Sequence, residues 1–257
     1  MSSSLPIEST VPSKPNPQPT PQRRSVAKWL SIALLCSVFL AVLYQFGLFV
    51  MVASLNFYNP NSSAVMRSTK AQLQQHNPQA HISFQWVPYD AISDNLKRAV
   101  VAAEDANFFN HGGVEWEAIR QAWDYNRKQA SKGTARRRGG STITQQLAKN
   151  LFLSTDRSYW RKGQELILAY MLEALLSKQR ILELYLNLAQ WGQATFGAQA
   201  AAERYYQTPA ARLTVQQAAR LAAMLPNPSY YDKQGNTNYL RSRTATIGQR
   251  SRLIQLP

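Results

Sequence analysis

The sequence predicts a mainly α-helical protein with one transmembrane helix near its N-terminus. Three features support this class: one long uncharged apolar segment, apolar residues that recur every three or four positions over most of the remaining chain, and no long strand-like runs. The chain has 257 residues, and its N-terminal part cannot belong to a core. The remainder is long enough for one globular domain of ordinary size.

Residues 1–28 are predicted to form a disordered cytoplasmic tail, because six prolines lie there among Ser, Thr, Asn and Gln. Segment 29–52 has no charged residue, and as a helix it would be about 36 Å long, enough to cross a bilayer. Its length and the lack of a small-residue cleavage site favour an uncleaved anchor over a signal peptide. Arg23, Arg24 and Lys28 precede the span closely, so the positive-inside rule places the N-terminus in the cytoplasm and the bulk of the chain outside.

The chain after the span divides by composition into three parts. Residues 53–90 are polar, with scattered aromatics and prolines, and predict a juxtamembrane connector with one short helix. Residues 91–230 have a helical pattern almost throughout and form the predicted globular domain, and 231–257 are a C-terminal extension. Ser93 and Asp94 are suited to cap the first helix of the domain. The other predicted helices are 114–130, 141–152, 159–188, 195–206 and 214–225.

The net charge of +15 fits either a nucleic-acid binder or a protein that works against anionic lipid head groups. The predicted anchor favours the membrane, and we expect no nucleic-acid partner. Cys36 is the single cysteine, so no intramolecular disulfide can form. Three scattered histidines and the lack of metal-binding motifs give no sign of a histidine-built metal site.

A first polar motif begins at Glu104, directly after the apolar run 99–103. Glu104 therefore lies where a helix leaves the interior, and partial loss of water would make it a useful base near neutral pH. His111 is close enough in sequence to orient one of the adjacent carboxylates, Glu104 and Asp105. The structural alternative makes Asp105 a helix end, Phe108 a core residue and His111 part of a turn.

A second motif, 139–150, is a glycine loop that enters a helix, whose first turn could expose hydroxyls and N–H groups to an anion. Thr142, Gln146 and Lys149 recur at helical spacing and share one face. A solvated polar helix is the alternative. The segment 127–140 before it is rich in arginine, lysine and glycine and predicts a mobile cationic loop, which would attract phosphate or simply be solvated.

Further charged motifs have simple structural explanations when taken one at a time. Glu165 could pair with Arg161 on a helix surface, and the stretch 178–187 reads as helix that ends at a capping Asn187. Ser93-Asp94-Asn95 spells a tripeptide of penicillin-binding transpeptidases, but no Lys-Thr-Gly follows, and helix capping explains it.

In combination, order and spacing, these motifs resemble those of the peptidoglycan glycosyltransferases of family 51, over roughly residues 85–230. One departure is Gln217, where the family usually has Glu, and we expect that position to be structural. The motifs that match are Glu104-Asp105-x-x-Phe108-x-x-His111-x-Gly113, Gly140-x-Thr142-x-x-Gln145-Gln146-x-x-Lys149-Asn150, Arg161-Lys162-x-x-Glu165 and Lys178-x-x-Ile181-Leu182-Glu183-x-Tyr185-Leu186-Asn187.

The resemblance implies a lysozyme-like helical domain with a membrane-proximal lobe. It also implies that the protein polymerises lipid II into β-1,4-linked glycan with inversion at the anomeric carbon and releases undecaprenyl pyrophosphate. One span and no transpeptidase motifs are most similar to the monofunctional members, so we expect no transpeptidase activity. The implied location is the bacterial inner membrane, with the catalytic domain in the periplasm.

The resemblance also assigns roles to residues. Glu104 would be the general base, and Glu165 the second essential carboxylate, which would position the leaving group, hold a divalent cation or tune Glu104. A cation, Mg²⁺ or Mn²⁺, is therefore a candidate cofactor, with Glu165 as its candidate ligand. The substrate-binding residues implied are Asp105, Phe108, His111, Ser141, Thr142, Gln146, Lys149, Arg161 and Lys162, of which Lys149, Arg161 and Lys162 would stabilise the pyrophosphate.

The expected partners are lipid II, the growing lipid-linked glycan and the membrane, and other cell-wall synthases or division proteins are further candidates. Two other functions fit the sequence less well. A lytic transglycosylase or muramidase would share the fold and a catalytic Glu, but it needs no pyrophosphate site. A non-enzymatic scaffold of the cell-wall machinery would not need both Glu104 and Glu165 intact.

Overall fold

The structure, a computed structural model, describes residues 21–134, 139–153 and 158–257. The chain divides into two compact units, Met1–Gly47 and Leu48–Pro257. The helices of the described residues are α1 (Pro21–Ser54), α2 (Ala64–His76), α3 (Asp94–Glu104), α4 (Trp116–Ser131), α5 (Ile143–Phe152), α6 (Tyr159–Leu175), α7 (Lys178–Leu188), α8 (Ala198–Tyr206), α9 (Val215–Met224), α10 (Pro228–Gln234) and α11 (Asn238–Arg250). The mainly α prediction is confirmed.

Helix α1 contains the predicted span and extends beyond segment 29–52 at both ends. Its part Val26–Ser54 is, by length and composition, the one described helix that could cross a membrane. The last turns of α1 belong to the second unit, where Leu48 and Val52 are buried. The predicted segment 29–52 is therefore part of a longer helix.

Most helices of the globular unit begin at a hydroxyl side chain that accepts a hydrogen bond from a backbone N–H of the first turn, which satisfies a group that has no partner within the helix. Ser93 does this for α3, as predicted. Gln217 closes a capping box with Thr214 at the start of α9, so its expected structural role is confirmed. The capping residues are Ser63, Ser93, Thr142, Ser158, Ser177, Thr214 and Thr237.

The single helix predicted over 159–188 is wrong. Leu176 is extended, and the Ser177 hydroxyl accepts a hydrogen bond from the Arg180 N–H to begin a new helix, α7. The apolar repeat continues across the break because both helices bury a face in the same core. Asn187 is also not a cap: it is buried inside α7, and its amide bonds the backbone N–H and carbonyl of Val87.

The core forms where α3 packs on α9 and α11, and where α5 packs on α6 and α7. Helix α11 buries Leu240 and Ile247, so the packed unit continues past the predicted boundary at 230. Two short strands, β1 (Ser83–Phe84) and β2 (Thr195–Phe196), pair in parallel, with Ser83 opposite Thr195. Packing of α3, α5 and α7 brings together side chains that are far apart in sequence.

Candidate active site

Glu104 is the last residue of α3, and its side chain is 11 % exposed. The buried positions of α3, including Leu96 and Val100, hold the helix against the core and carry its C-terminal end inwards. Burial raises the pKa of Glu104 above its ordinary value. The predicted desolvation of this carboxylate is therefore present in the fold.

One oxygen of Glu104 is fixed by α5 and α7. Gln146 donates from Nε2 to Oε2 of Glu104 at 2.9 Å, and the Tyr185 hydroxyl donates to the Gln146 carbonyl at 2.9 Å. Burial raises the pKa of Tyr185 well above its usual value, so the phenol keeps its proton and remains a donor. This chain of bonds fixes the Gln146 amide with its NH₂ group toward Glu104.

The other oxygen, Oε1, is buried and accepts no hydrogen bond from any described residue. Its cationic neighbour is Arg243 of α11, whose Nη2 lies 3.9 Å away. That separation is too long for a hydrogen bond but short enough for electrostatic attraction. Glu104 thus has one oxygen anchored and one oxygen without a donor.

Asp105 follows Glu104 in the sequence, but its carboxylate is buried and bonded to other groups of the protein. Its side chain is 1 % exposed, and Oδ2 accepts from the backbone N–H of Ile143 at 3.0 Å. His111 donates from Nε2 to both carboxylate oxygens at 2.9 and 3.0 Å, since its Nδ1 accepts from the Gly113 N–H. The predicted orientation of a carboxylate by His111 is therefore seen, and the carboxylate is Asp105.

The start of α5 was predicted to be an open anion site, and that prediction is wrong. The Asp105 carboxylate already occupies it, which is a favourable place for a negative charge. Thr142 is buried, closes a capping box with Gln145 and donates to the Gly113 carbonyl at 2.6 Å. The Thr142 hydroxyl therefore joins the first and second motifs.

Phe108 is fully buried beneath the site, as the structural alternative stated. Lys178 lies against its ring, with Nζ 4.4 Å from the ring centroid. The same ammonium donates to the His111 carbonyl at 2.6 Å and pairs with Glu173 at 2.8 Å. Lys178 thus ties the first and fourth motifs together.

A cluster of three cations surrounds Glu165 at the start of α6. Glu165 is 5 % exposed, its Oε2 lies 3.0 Å from Nη1 of Arg161, and its Oε1 accepts from Lys162. Lys162 also donates to the Ser141 hydroxyl at 3.3 Å. Lys149 of α5 is half-buried, and burial lowers its pKa, opposed by the negative charge of Glu165. The predicted surface pair is therefore part of a partly buried network around a buried Glu165.

A cavity of about 210 Å³ opens beside this cluster and is lined in part by Ser141 and Lys162. Gly140 forms one edge, where a Cβ atom would meet the Ile119 Cα of α4 at 2.9 Å. Only glycine lets the loop approach α4 this closely. The cavity provides space next to the cations.

Residues 69–252 match the family model described as Transglycosylase. The chain belongs to the transglycosylase family. A protein of Bordetella pertussis named biosynthetic peptidoglycan transglycosylase is 57 % identical over 241 residues, 94 % of this chain and 100 % of the relative. Two further proteins of the same name are also similar. The protein of Methylobacillus flagellatus is 51 % identical over 87 % of this chain and 96 % of the relative. The protein of Herminiimonas arsenicoxydans is 49 % identical over 91 % of this chain and 98 % of the relative.

Two residues of this transglycosylase site were not predicted. Arg243 lies in the segment 231–257, which was predicted to be an extension beyond the domain, and no polar motif in the sequence marks it. Tyr185 stands inside the fourth motif, but its hydroxyl could not be assigned to Gln146 without the packing of α7 on α5. Three of the predicted cationic residues, Arg136–Arg138, lie outside the described residues.

Glu165 is bonded to cationic side chains of the protein. Both of its oxygens are engaged by cations, and within residues 21–134, 139–153 and 158–257 no three His, Cys, Asp or Glu side chains are grouped to hold a metal ion. The coordination of a divalent cation by Glu165 stays a prediction.

Proposed function

We propose that this peptidoglycan transglycosylase polymerises lipid II into β-1,4-linked glycan strands, with inversion at the anomeric carbon and release of undecaprenyl pyrophosphate. The observation that carries the proposal is that Glu104, buried and with a raised pKa, lies within electrostatic range of Lys149, which in turn lies within range of Arg161 and Lys162. A base and a site for a pyrophosphate are the two parts that this reaction requires.

In the proposed reaction, Glu104 takes the proton from the 4-hydroxyl of the acceptor sugar. The oxygen attacks the anomeric carbon of the lipid-linked donor, and the bond to pyrophosphate breaks with its electron pair on the leaving group. A carboxylate with a raised pKa is a better base than an exposed one, and a general base of this kind contributes on the order of 10²- to 10⁴-fold.

We assign the pyrophosphate to the cationic cluster. Glu165 holds Arg161 and Lys162 in place, so their N–H groups are oriented before the substrate binds. Lys149 has no hydrogen-bond acceptor among the described residues, and its ammonium can donate to a phosphate oxygen. Preorganised cations of this kind stabilise the charge that develops on the leaving group.

The proposed location is the inner membrane, with the catalytic unit in the periplasm. One apolar helix and the positive residues before it support this orientation. Helix α4 exposes Trp116 at 59 % and Trp123 at 73 %, and α6 begins with the exposed pair Tyr159 and Trp160. Exposed aromatic side chains of this type are common at membrane interfaces, so we propose that this surface contacts the lipid in which the substrate is embedded.

We propose that the protein has no transpeptidase activity. Ser25-Val26-Ala27-Lys28 has the spacing of a Ser-x-x-Lys nucleophile motif, but it lies at the start of the apolar segment, and Ser93 acts as a helix cap. No Lys-Thr-Gly follows in the sequence. Any divalent cation in the reaction is proposed to be bound mainly by the substrate pyrophosphate, since Mg²⁺ commonly takes substrate phosphates and only one or two carboxylates as ligands.

The test supplies the detergent-solubilised full-length protein with labelled lipid II and separates the products by size before and after digestion with a muramidase. Long strands that the muramidase cuts to disaccharide units, and that are absent with Glu104→Gln, support the polymerase and its base. Glu117→Gln, which changes an exposed carboxylate, is the matched control. Shortening of pre-made glycan would favour a lytic enzyme, and no product from a folded protein would favour a scaffold.

A further inference from the structure

We propose that Arg243 is a positioning residue that keeps the general base ionised, and that the C-terminal helix α11 is therefore part of the catalytic apparatus. The inference rests on the proposed function, because it takes Glu104 to be the base. Arg243 acts through Glu104 and is not assigned any contact with substrate.

The position of Arg243 follows from the packing of α11. Leu240, Arg243 and Ile247 share one face of the helix, and the two apolar residues are buried. This helix contacts α3 and α9, so its core-facing side turns Arg243 toward the end of α3. The Arg243 side chain is 30 % exposed, and its Nη2 lies 3.9 Å from Oε1 of Glu104.

The buried Oε1 atom of Glu104 requires a nearby positive charge if the carboxylate is to stay ionised. A buried carboxylate oxygen without a donor disfavours the ionised form of the acid, and no described residue donates to Oε1. Gln146 donates a hydrogen bond only to the other carboxylate oxygen, Oε2. The positive charge of Arg243 is the compensation available to Oε1.

The other charged groups near Glu104 do not replace this one. Lys149 of α5 also favours ionisation, but burial lowers its pKa and Glu165 attracts its charge. Asp105 disfavours a second negative charge, and Tyr185 of α7 is neutral. The buried residues of α9 are all apolar, and the 3₁₀ turn Ser251–Leu253 buries only a serine against α3. A guanidinium, in contrast, stays charged at every working pH.

The test measures kcat/KM for lipid II polymerisation against pH with the full-length protein and Arg243→Gln, Arg243→Met and Arg243→Lys. Glu104 must be ionised to act, so activity rises as pH passes its pKa. Loss of the positive charge raises that pKa, and the acid limb should move to higher pH by about one unit in both neutral variants. Lysine keeps the charge, so its limb should stay near wild type. Arg241→Gln removes the same charge from the same helix at an exposed position and should leave the limb in place.

An equal fall of activity at every pH, with an unmoved limb, would show a packing role and overturn the inference. Unchanged profiles would also overturn it, and so would failure of both neutral variants to fold, judged by circular dichroism. The Glu104→Gln variant distinguishes failure of the proposed base from failure of the role proposed for Arg243. If that variant still polymerises lipid II, the proposed base is wrong; if it is inactive and the Arg243 limb is unmoved, only the role of Arg243 is wrong.

Discussion

The amide nitrogen of Gln146 lies 2.9 Å from Oε2 of Glu104, although the two residues are separated by 42 positions in the sequence. The bond joins the end of α3 to the first turns of α5, and it fixes the rotamer of the proposed base. Since Tyr185 fixes the amide from the other side, the carboxylate is held before substrate binds.

Replacement of Gln146 by Leu should lower kcat for lipid II polymerisation by about tenfold to a hundredfold, the range expected when a charged group loses a hydrogen bond. The bond also lowers the pKa of Glu104, so its loss should move the acid limb of the pH profile upward. Gln216→Leu, at an exposed position of α9, should behave as wild type. A Gln146→Leu enzyme with normal kcat would show that the bond does not position the base.

Replacement of Asp105 by Asn should destabilise the folded unit by about 2 kcal/mol, because an amide has one acceptor oxygen and cannot replace both charge-assisted bonds. His111 or the Ile143 N–H would lose its acceptor. Thermal unfolding of the full-length protein in detergent, followed by circular dichroism, measures the effect. Asp124→Asn, at an exposed position, is the control and should unfold at the same temperature as the wild type. Equal unfolding temperatures for both variants would refute the supporting role of Asp105.

Replacement of Glu165 by Gln should lower kcat by at least about tenfold, since preorganised charge at a leaving group contributes several kcal/mol. A neutral amide accepts weakly from Arg161 and Lys162, so their orientation is lost. Steady-state kinetics with lipid II measure the change, with Glu117→Gln as the surface-pair control. Retention of wild-type kcat would exclude an orienting role for Glu165.

The lowered pKa of Lys149 predicts an alkaline limb in kcat/KM below the pH at which an ordinary lysine titrates, roughly 10.4. In the proposed site the Lys149 ammonium binds pyrophosphate only while it is protonated. A lowered pKa means that this proton is lost earlier as pH rises, so activity should fall at a lower pH. Lys149→Arg should move this limb to higher pH, because a guanidinium does not deprotonate. A limb that is identical in the arginine variant would assign it to another group.

Much of the local structure follows from the sequence. Ser93 before an apolar repeat predicts the start of α3, and Thr142 with Gln145 gives the capping box of α5. The predicted helices at 114–130, 141–152, 195–206 and 214–225 correspond to α4, α5, α8 and α9. The break at Leu176 could not be found in this way, because the apolar residues on both sides of it keep helical spacing.

The sequence by itself determined the helical class, the single apolar span, the family and the acidic and basic residues available for catalysis, since periodicity, apolar length and ordered motifs are all local properties of the chain. Only the tertiary structure decided what each polar residue does. Packing of α3, α5, α7 and α11 turned one of two adjacent carboxylates, Asp105, toward the start of α5 and left the other, Glu104, with a bare oxygen beside Arg243. The physical reason is that burial and long-range hydrogen bonds set the charge state and the free lone pairs of a carboxylate, and neither is defined until distant helices meet.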